Sequence, residues 1–246
     1  MQKNILTPKL VVKENKFCPG CGHGVIEKLI CQVLEEKGLE NEAVGIVAVG
    51  CACLITDYMG TDWIQAQHGR APAVAAGVKH VRPGKFVFTY QGDGDAAAIG
   101  LSETMYAAKR NEPITTFFVN NGVFGMTGGQ MAPTSLLGQK TTTSPFGCDY
   151  SKAGEPIKLA ELLATFNVGY IARGSIANYS ELMKTKKYIS KAIDCQIQNR
   201  GYSFVEILSP CPTNWKMSPV DSLKRIETEA MTYFGCGELK GQVQND

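Results

Sequence analysis

Short apolar runs that alternate with segments of helical period, several of them closing on glycine or asparagine, constrain this chain more than any other feature. His23 to Lys37 carries Val25, Ile26, Leu29, Ile30, Val33 and Leu34 at helical spacing, and Gly38 stops it. Val44 to Val49 reads as a buried strand. Ala71 to Val81 predicts a helix ended by Arg82-Pro83-Gly84, and Lys85 to Tyr90 a strand running into Gly92-Asp93-Gly94. A helix over Ala96 to Arg110 follows, then a strand over Ile114 to Val119 entered from Pro113. The pattern resumes later with a helix over Ile157 to Phe166, a strand over Val168 to Ala172 and a helix over Tyr179 to Gln198. It ends with a strand over Ser203 to Leu208 and a helix over Pro219 to Phe234. This alternation predicts an α/β fold, a mostly parallel sheet with helices on both faces. No composition break or internal repeat divides it, so residues 1–246 are expected to form a single domain. Ligands of such sheets sit outside the carboxyl ends of the strands, where strand order reverses. Asn120 to Glu155, rich in Gly, Thr, Ser and Pro, is too long for an ordinary connection and reads as a functional loop or ligand cover.

With 246 residues, 44% hydrophobic and 20% charged, the chain has material for a core, which excludes a disordered tail or a collagen-like fibre. A net charge of +2 gives no electrostatic reason to expect nucleic acid or acidic lipid as a partner. Met1 to Phe17 shows no h-region with a small-residue cleavage site. The longest apolar run, Ala43 to Ile55, is interrupted by glycine and falls short of the roughly 20 residues a bilayer requires. The expectation is a soluble, cytoplasmic protein with no membrane partner. Nine cysteines, an odd number in a mid-sized chain, do not suit a secreted disulfide framework. They suit a reduced protein whose thiols bind something or pack.

Gly92-Asp93-Gly94-Asp95 follows a strand and opens a helix, but it lacks the third glycine of a dinucleotide fingerprint. Asn120-Asn121 stands at the end of the next strand, so a carboxylate and an amide oxygen are expected at adjacent strand ends. Mg²⁺ favours a few such hard oxygens, with substrate phosphates completing its shell, and the helix start after Gly94 offers free N–H groups to a diphosphate. The competing reading is a glycine turn with Asp93 as helix cap and an Asn-Asn-Gly turn. Thr127-Gly128-Gly129-Gln130 alone reads as a flexible turn, although its glycines also let backbone approach a ligand. The paired motif resembles the diphosphate-binding motif of thiamine diphosphate enzymes. The resemblance implies Asp93, Asn121 and the Val123 carbonyl as Mg²⁺ ligands, with Gly92, Gly94, Asp95, Thr127 and Gly128 at the cofactor.

Cys18-Pro19-Gly20-Cys21 is a C-x₂-C immediately before the first helix. Such a pair is a redox dithiol, half a zinc site or half an iron–sulfur site. No convincing strand precedes it, which removes a thioredoxin-like role. Cys51 and Cys211, both just past strand ends, are candidates for the other ligands; Cys53 rivals Cys51, and His23 would suit zinc. Six further segments follow the Cys18–His23 segment in order: Val49-Gly50-Cys51, His68 to Ala73, Gly92 to Asp95, Asn120-Asn121, Met126 to Pro133, and Cys211 to Trp215. Together they resemble the beta subunit of 2-oxoacid:ferredoxin oxidoreductases, closest to the 2-oxoisovalerate or 2-oxoglutarate branch, from about Phe17 to Phe234. The resemblance implies a [4Fe–4S] cluster on Cys18, Cys21, Cys51 and Cys211, and His68 as a catalytic residue at the cofactor and substrate. Arg70 is a weaker inference, since it could cap a helix or pair on the surface. Cys31, Cys53, Cys148, Cys195 and Cys236 read as packing or inert thiols. His23 is expected to bond a nearby backbone group, His80 to lie on a helix surface, and Trp215 to pack over the Cys211 loop.

The implied reaction converts a 2-oxoacid and coenzyme A to acyl-CoA, CO₂ and reduced ferredoxin. The carboxylate that activates the aminopyrimidine is missing, because no second α/β copy exists; the family carries it on an alpha subunit. The C-x₂-C-x₂-C-x₃-C-P run of a ferredoxin module is also absent, so further clusters would belong to another subunit. Two rivals are a non-redox thiamine diphosphate decarboxylase or synthase subunit, and a zinc-stapled phosphate-binding scaffold. Lys140 and Lys152 are the only cations of the 120–155 stretch, which tilts the substrate towards branched-chain acids over 2-oxoglutarate.

Overall fold

The computed structural model describes residues 7–241; the rest of the 1–246 span, including Met1 and its neighbours in the segment read for a leader, lies outside the described residues. One sheet organises the chain. Its strands are β1 (Ala43–Val47), β2 (Asp62–Gln65), β3 (Phe86–Gly92), β4 (Thr115–Asn120), β7 (Tyr170–Ser175), β8 (Ser203–Leu208) and β9 (Gly237–Lys240). They lie in the order β2-β1-β3-β4-β8-β7-β9, all parallel except β9, which runs antiparallel on β7. From β1 the chain steps outward to β2 and then returns to the other side of β1 as β3. The carboxyl ends of β1 and β3 therefore flank the switch point where a crevice opens.

Side chains alternate across this sheet with period two. Phe88, Tyr90, Phe117 and Val119 join α1 (His23–Glu36) and α6 (Tyr179–Ile197) in one core layer. Val87, Phe118 and Phe204 join α2 (Ala71–Val81), α3 (Leu101–Lys109) and α5 (Leu159–Ala164) in the other. Burial on both faces explains why these strands read as continuous apolar runs.

Three sequence expectations are corrected. β2 and β9 were missed because Asp62-Trp63-Ile64-Gln65 and Gly237-Glu238-Leu239-Lys240 are short edge strands of mixed polarity, without the apolar run that marks interior strands. The helix expected from Ala96 begins instead as a π turn over Gly94–Ile99 and becomes α-helical at Leu101. A single helical turn, α7 (Pro212–Trp215), follows β8. The closing helix after it has a π turn at Ile226–Ala230, between α8 (Pro219–Arg225) and α9 (Met231–Phe234).

The 120–155 stretch is built rather than loose. It contains a two-residue hairpin, β5 (Val123–Phe124) with β6 (Gln130–Met131), and a short helix, α4 (Tyr150–Ala153). Behind the strand ends, Arg173 of β7 and Glu206 of β8 form a buried ion pair, Nε to carboxylate 2.8 Å. Arg173 also pairs with Glu161 of α5. Glu206 accepts from Asn120 Nδ2 at 2.7 Å and so anchors the end of β4. Among the described residues, no helix is long and apolar enough to cross a membrane.

Candidate cofactor and thiol site at the strand ends

Asp93 closes β3 and is 1% exposed. Its Oδ2 accepts from Gly122 N–H (2.6 Å), Thr134 hydroxyl (2.7 Å) and Asn121 N–H (3.2 Å), while among the described residues Oδ1 accepts only from Gly94 N–H (2.8 Å). A carboxylate offers about four lone-pair positions, so Oδ1 keeps capacity for a further ligand. Burial pushes the Asp93 carboxyl up to about 6 against these four donors. Asn121 Oδ1 accepts from Val123 N–H at 3.1 Å. The turn between them is braced from the 120–155 stretch, where Ser135 Oγ (2.6 Å) and Gln139 Nε2 (2.9 Å) both donate to the Gly122 carbonyl. Asp93, Asn121 and Val123, predicted together, line one pocket with Gly92, Gly94, Asp95 and Thr127. Gly128 lies just beyond this lining.

Glycine makes this pocket. Gly50 has φ +116° and lines it with Gly92, and a Cβ at either would meet open space. At Gly94 a Cβ would stand 2.3 Å from the Phe124 ring, so the ring lies flush against the start of the π turn.

His68 enters from the loop before α2. Its Nδ1 lies 2.5 Å from Asp95 Oδ1, the same oxygen accepts from Gly69 N–H at 2.6 Å, and Oδ2 accepts from Gln91 Nε2 at 2.5 Å. Asp95 thus holds His68 while it lines the pocket with Asp93. Arg70 pairs with Glu103 on the surface. His80 likewise lies on the surface, 3.0 Å from Glu112.

The thiols converge by backbone packing. Gly20 has φ +75° and lies against Pro219, where a Cβ would stand 2.6 Å away. A Cβ on Gly22 would stand 2.1 Å from Ser209 Oγ, so the Cys18–Cys21 turn docks beside Cys211. The Cys51 and Cys211 sulfurs both lie against Gly125, at 3.2 and 3.8 Å from the position of its absent Cβ. Asn214 Nδ2 lies 3.2 Å from Cys211 Sγ and donates to the Gly125 carbonyl at 3.0 Å. Burial pushes Cys21 up to about 12 and Cys51 up to about 11, with smaller contributions from the neighbouring thiols. Cys51 lines the pocket, whereas Cys53 packs against the core layer of α1. Among the described residues, no three His, Cys, Asp or Glu side chains close on a single-ion site.

One expectation fails here. His23 bonds not to backbone but to the Tyr90 hydroxyl of β3, 2.6 Å from Nδ1, beneath a stacked Phe17. Trp215, in the turn that follows Cys211, donates from Nε1 to the Asn121 carbonyl at 3.2 Å. Sequence reasoning missed Thr134 and Gln91. Gln91 left a signal, a polar residue in an apolar strand next to Gly92; Thr134 left none beyond its loop.

Residues 48–207 match the family described as thiamine pyrophosphate enzyme, C-terminal TPP binding domain. Ketoisovalerate oxidoreductase subunit VorA of Methanothermobacter thermautotrophicus is 47% identical over 219 residues, covering 89% of this chain and 46% of that protein. 2-Oxoglutarate synthase subunit KorB of Methanothermobacter marburgensis is 36% identical over 221 residues, covering 87% of this chain and 74% of that protein. This chain belongs to the 2-oxoacid:ferredoxin oxidoreductase family. A solved family structure, 2-oxoglutarate:ferredoxin oxidoreductase from Magnetococcus marinus with 2-oxoglutarate, coenzyme A and succinyl-CoA bound, superposes with TM-score 0.77 at 27% identity, covering 92% of this chain and 74% of that one. The chain spans about half the length of the VorA relatives it matches.

Proposed function

We propose that this chain is the subunit carrying thiamine diphosphate and a [4Fe–4S] cluster in a ferredoxin-dependent oxidoreductase of 2-oxoacids. The complex would oxidatively decarboxylate a 2-oxoacid, with branched-chain acids favoured, using coenzyme A to give acyl-CoA, CO₂ and reduced ferredoxin. The observation that carries this reading is that Cys51 and Asp93 line one pocket, so the converging thiols open onto the same space as the Gly-Asp-Gly and Asn-Asn strand ends.

Thiamine diphosphate, when bound, supplies the stabilisation of charge that decarboxylation requires. Asp93, Asn121 and the Val123 carbonyl would hold Mg²⁺ through hard oxygens. Gly50 and Gly92, where a side chain is absent, would leave room for the diphosphate, and the backbone at Gly94, Thr127 and Gly128 would contact it. His68, gripped at Nδ1 by Asp95, turns Nε2 to the pocket and holds or moves a proton there. Cys18, Cys21, Cys51 and Cys211 would hold the cluster, each giving up its thiol proton to do so. A cluster held by these cysteines would supply one-electron chemistry, taking up electrons from the 2-oxoacid one at a time.

Among the described residues, no lysine or arginine lines the pocket, so this chain offers no cation to a second substrate carboxylate. That supports a branched-chain acid over 2-oxoglutarate, as does the 47% identity to a ketoisovalerate oxidoreductase subunit. The partners would be an alpha subunit supplying the pyrimidine-binding domain, a further ferredoxin-like subunit, and ferredoxin. Two core layers on one sheet support a single domain over the described residues. Nine free cysteines, Cys18 and Cys236 exposed, suit a reducing cytoplasm.

The test is anaerobic co-purification, followed by iron, sulfide and thiamine analysis and viologen reduction across a panel of 2-oxoacids with coenzyme A. The expected complex is brown, bleaches with dithionite and turns over branched-chain acids, while the isolated chain is inactive. One zinc without acid-labile sulfide overturns the cluster, and full turnover by the isolated chain overturns the shared active site.

A further inference from the structure

Glu27 is the least explained side chain in the interior. It lies one turn after His23 on the inward face of α1 and one turn before Cys31, and all three are buried. Glu27 is 0% exposed, and among the described residues neither carboxylate oxygen has a hydrogen-bond partner. An ionised carboxylate without partner or counter-charge is costly in such a place. The groups around it supply little relief. Lys28, the next residue, is exposed; Tyr90 of β3 and Cys31 of α1 are neutral neighbours in its field. The turn over Cys51–Asp57, which carries Cys51, Cys53 and Asp57, packs against α1. From α6 come Ile189 and Ile193, while the α1–α6 ion pairs Lys186–Glu36 and Lys37–Asp194 lie at the far end of α1.

Its position gives the anomaly a use. Glu27 stands six residues past Cys21, about 9 Å of rise if the helix is extended back to it. Between the two lies His23, bonded to the Tyr90 hydroxyl and lining the pocket with Cys51. Tyr90 feels Cys21, Glu27 and Cys51 together.

Resting on the cluster assignment above, we propose that Glu27 is the proton partner of the electron that arrives at the Cys18, Cys21, Cys51 and Cys211 site. One electron, released by oxidation of the 2-oxoacid, converts [4Fe–4S]²⁺ to [4Fe–4S]⁺. Above neutrality, where Glu27 is ionised while the cluster is oxidised, one proton drawn from solvent through the pocket past His23 and Tyr90 converts its carboxylate to the neutral acid. Both leave when the electron passes to ferredoxin. Neutralising Glu27 offsets the negative charge added to a poorly solvated site. Four thiolates already make that site anionic, so the coupling window lies above neutrality.

The test uses the anaerobically purified complex, wild type, Glu27→Gln and Glu27→Asp. Cluster midpoint potential is followed by electron paramagnetic resonance from about pH 6 to pH 10. Wild type is expected to fall by about 59 mV per pH unit over one to two units, the one-electron value for a tenfold change in equilibrium constant. Glu27→Gln is expected to be flat, and Glu27→Asp to keep a displaced slope. Reduced-minus-oxidised infrared difference spectra should gain a carboxylic acid carbonyl band in wild type that is missing from Glu27→Gln. A pH-independent wild-type potential overturns the proposal, as does a slope that survives in Glu27→Gln. Should Glu27→Gln not fold, the wild-type slope and the shift of the carbonyl band in Glu27→Asp decide. A wild-type complex without a reducible iron chromophore overturns instead the cluster assignment beneath it.

Discussion

His68 Nδ1 and Asp95 Oδ1 lie 2.5 Å apart, joined across a backbone contact in which Gly69 and Gly100 leave no room for side chains. The π turn makes the contact: Gly100 N–H donates five residues back to the Asp95 carbonyl at 2.8 Å, which widens the helix under His68. A carboxylate on Nδ1 fixes the tautomer and leaves Nε2 for chemistry. Replacing Asp95 with Asn should lower kcat of the assembled complex by about 10²-fold, at the low end of general acid–base effects. His68→Asn combined with Asp95→Asn should be no slower than His68→Asn alone. Independent, multiplicative losses would show that Asp95 does not act through His68.

Asp93→Ala should weaken thiamine diphosphate binding in Mg²⁺ by at least about tenfold, or about 1.4 kcal/mol. Thr134→Val, which removes one of three donors from Oδ2 and leaves Oδ1 untouched, should cost less. Calorimetric titration with and without EDTA checks both, since the wild type should lose most of its affinity when the metal is chelated and Asp93→Ala should lose little more.

A methyl group at Gly22 would stand 2.1 Å from Ser209 Oγ and 2.6 Å from Ile176 Cδ1. Gly22→Ala should therefore undock the Cys18–Cys21 turn from Cys211 and lower iron and sulfide content well below wild type. Far-UV circular dichroism should be retained, because the sheet does not depend on this turn. A full complement of iron in Gly22→Ala would refute the docking argument.

Arg173 is 1% exposed and Glu206 0%, so removal of Arg173 leaves Glu206 without a counter-charge in the interior, whereas removal of Glu206 leaves Arg173 its pair with Glu161. Arg173→Met should destabilise by about 3 kcal/mol, and the Arg173→Met/Glu206→Leu double replacement by less. Urea denaturation of the three proteins measures it. Asn120 loses its acceptor in the double variant, so thiamine diphosphate affinity should fall even where stability recovers.

Burial raises the Glu27 carboxyl from its ordinary value to about 7. Between about pH 4.5 and pH 7 the folded chain holds a proton that the unfolded chain has released, so this contribution is fully present at low pH and lost as pH rises. Each tenfold difference in proton affinity between the folded and unfolded chain is worth about 1.4 kcal/mol, so wild type should lose about 2 kcal/mol relative to Glu27→Gln between about pH 5.5 and pH 8. Paired urea melts at the two pH values check the sign, and a wild type that gains on Glu27→Gln as pH rises would contradict it.

The α/β fold and its main strands were legible because buried parallel strands and amphipathic helices write their periods into the residues. Gly92 to Asp95 and Asn120-Asn121 were legible as neighbouring strand ends for a related reason: each breaks off an apolar strand with small or polar residues, and β3 and β4 do pair side by side. What the local chain could not express was partnership across the fold. The residue types mark Asp95 as a companion of Asp93, but they do not show that its carboxylate also takes His68, which a π turn and two touching glycines bring against it. Nothing near His23 predicts Tyr90, 67 residues on, as its partner. The preference for Cys51 over Cys53 at the pocket arises only when the Cys51–Asp57 turn aims one sulfur at the pocket and the other at the core. Periodicity is a local property and survives in sequence. The choice among polar partners depends on which strand ends become neighbours, and only the crossover from β2 back past β1 to β3 decides that.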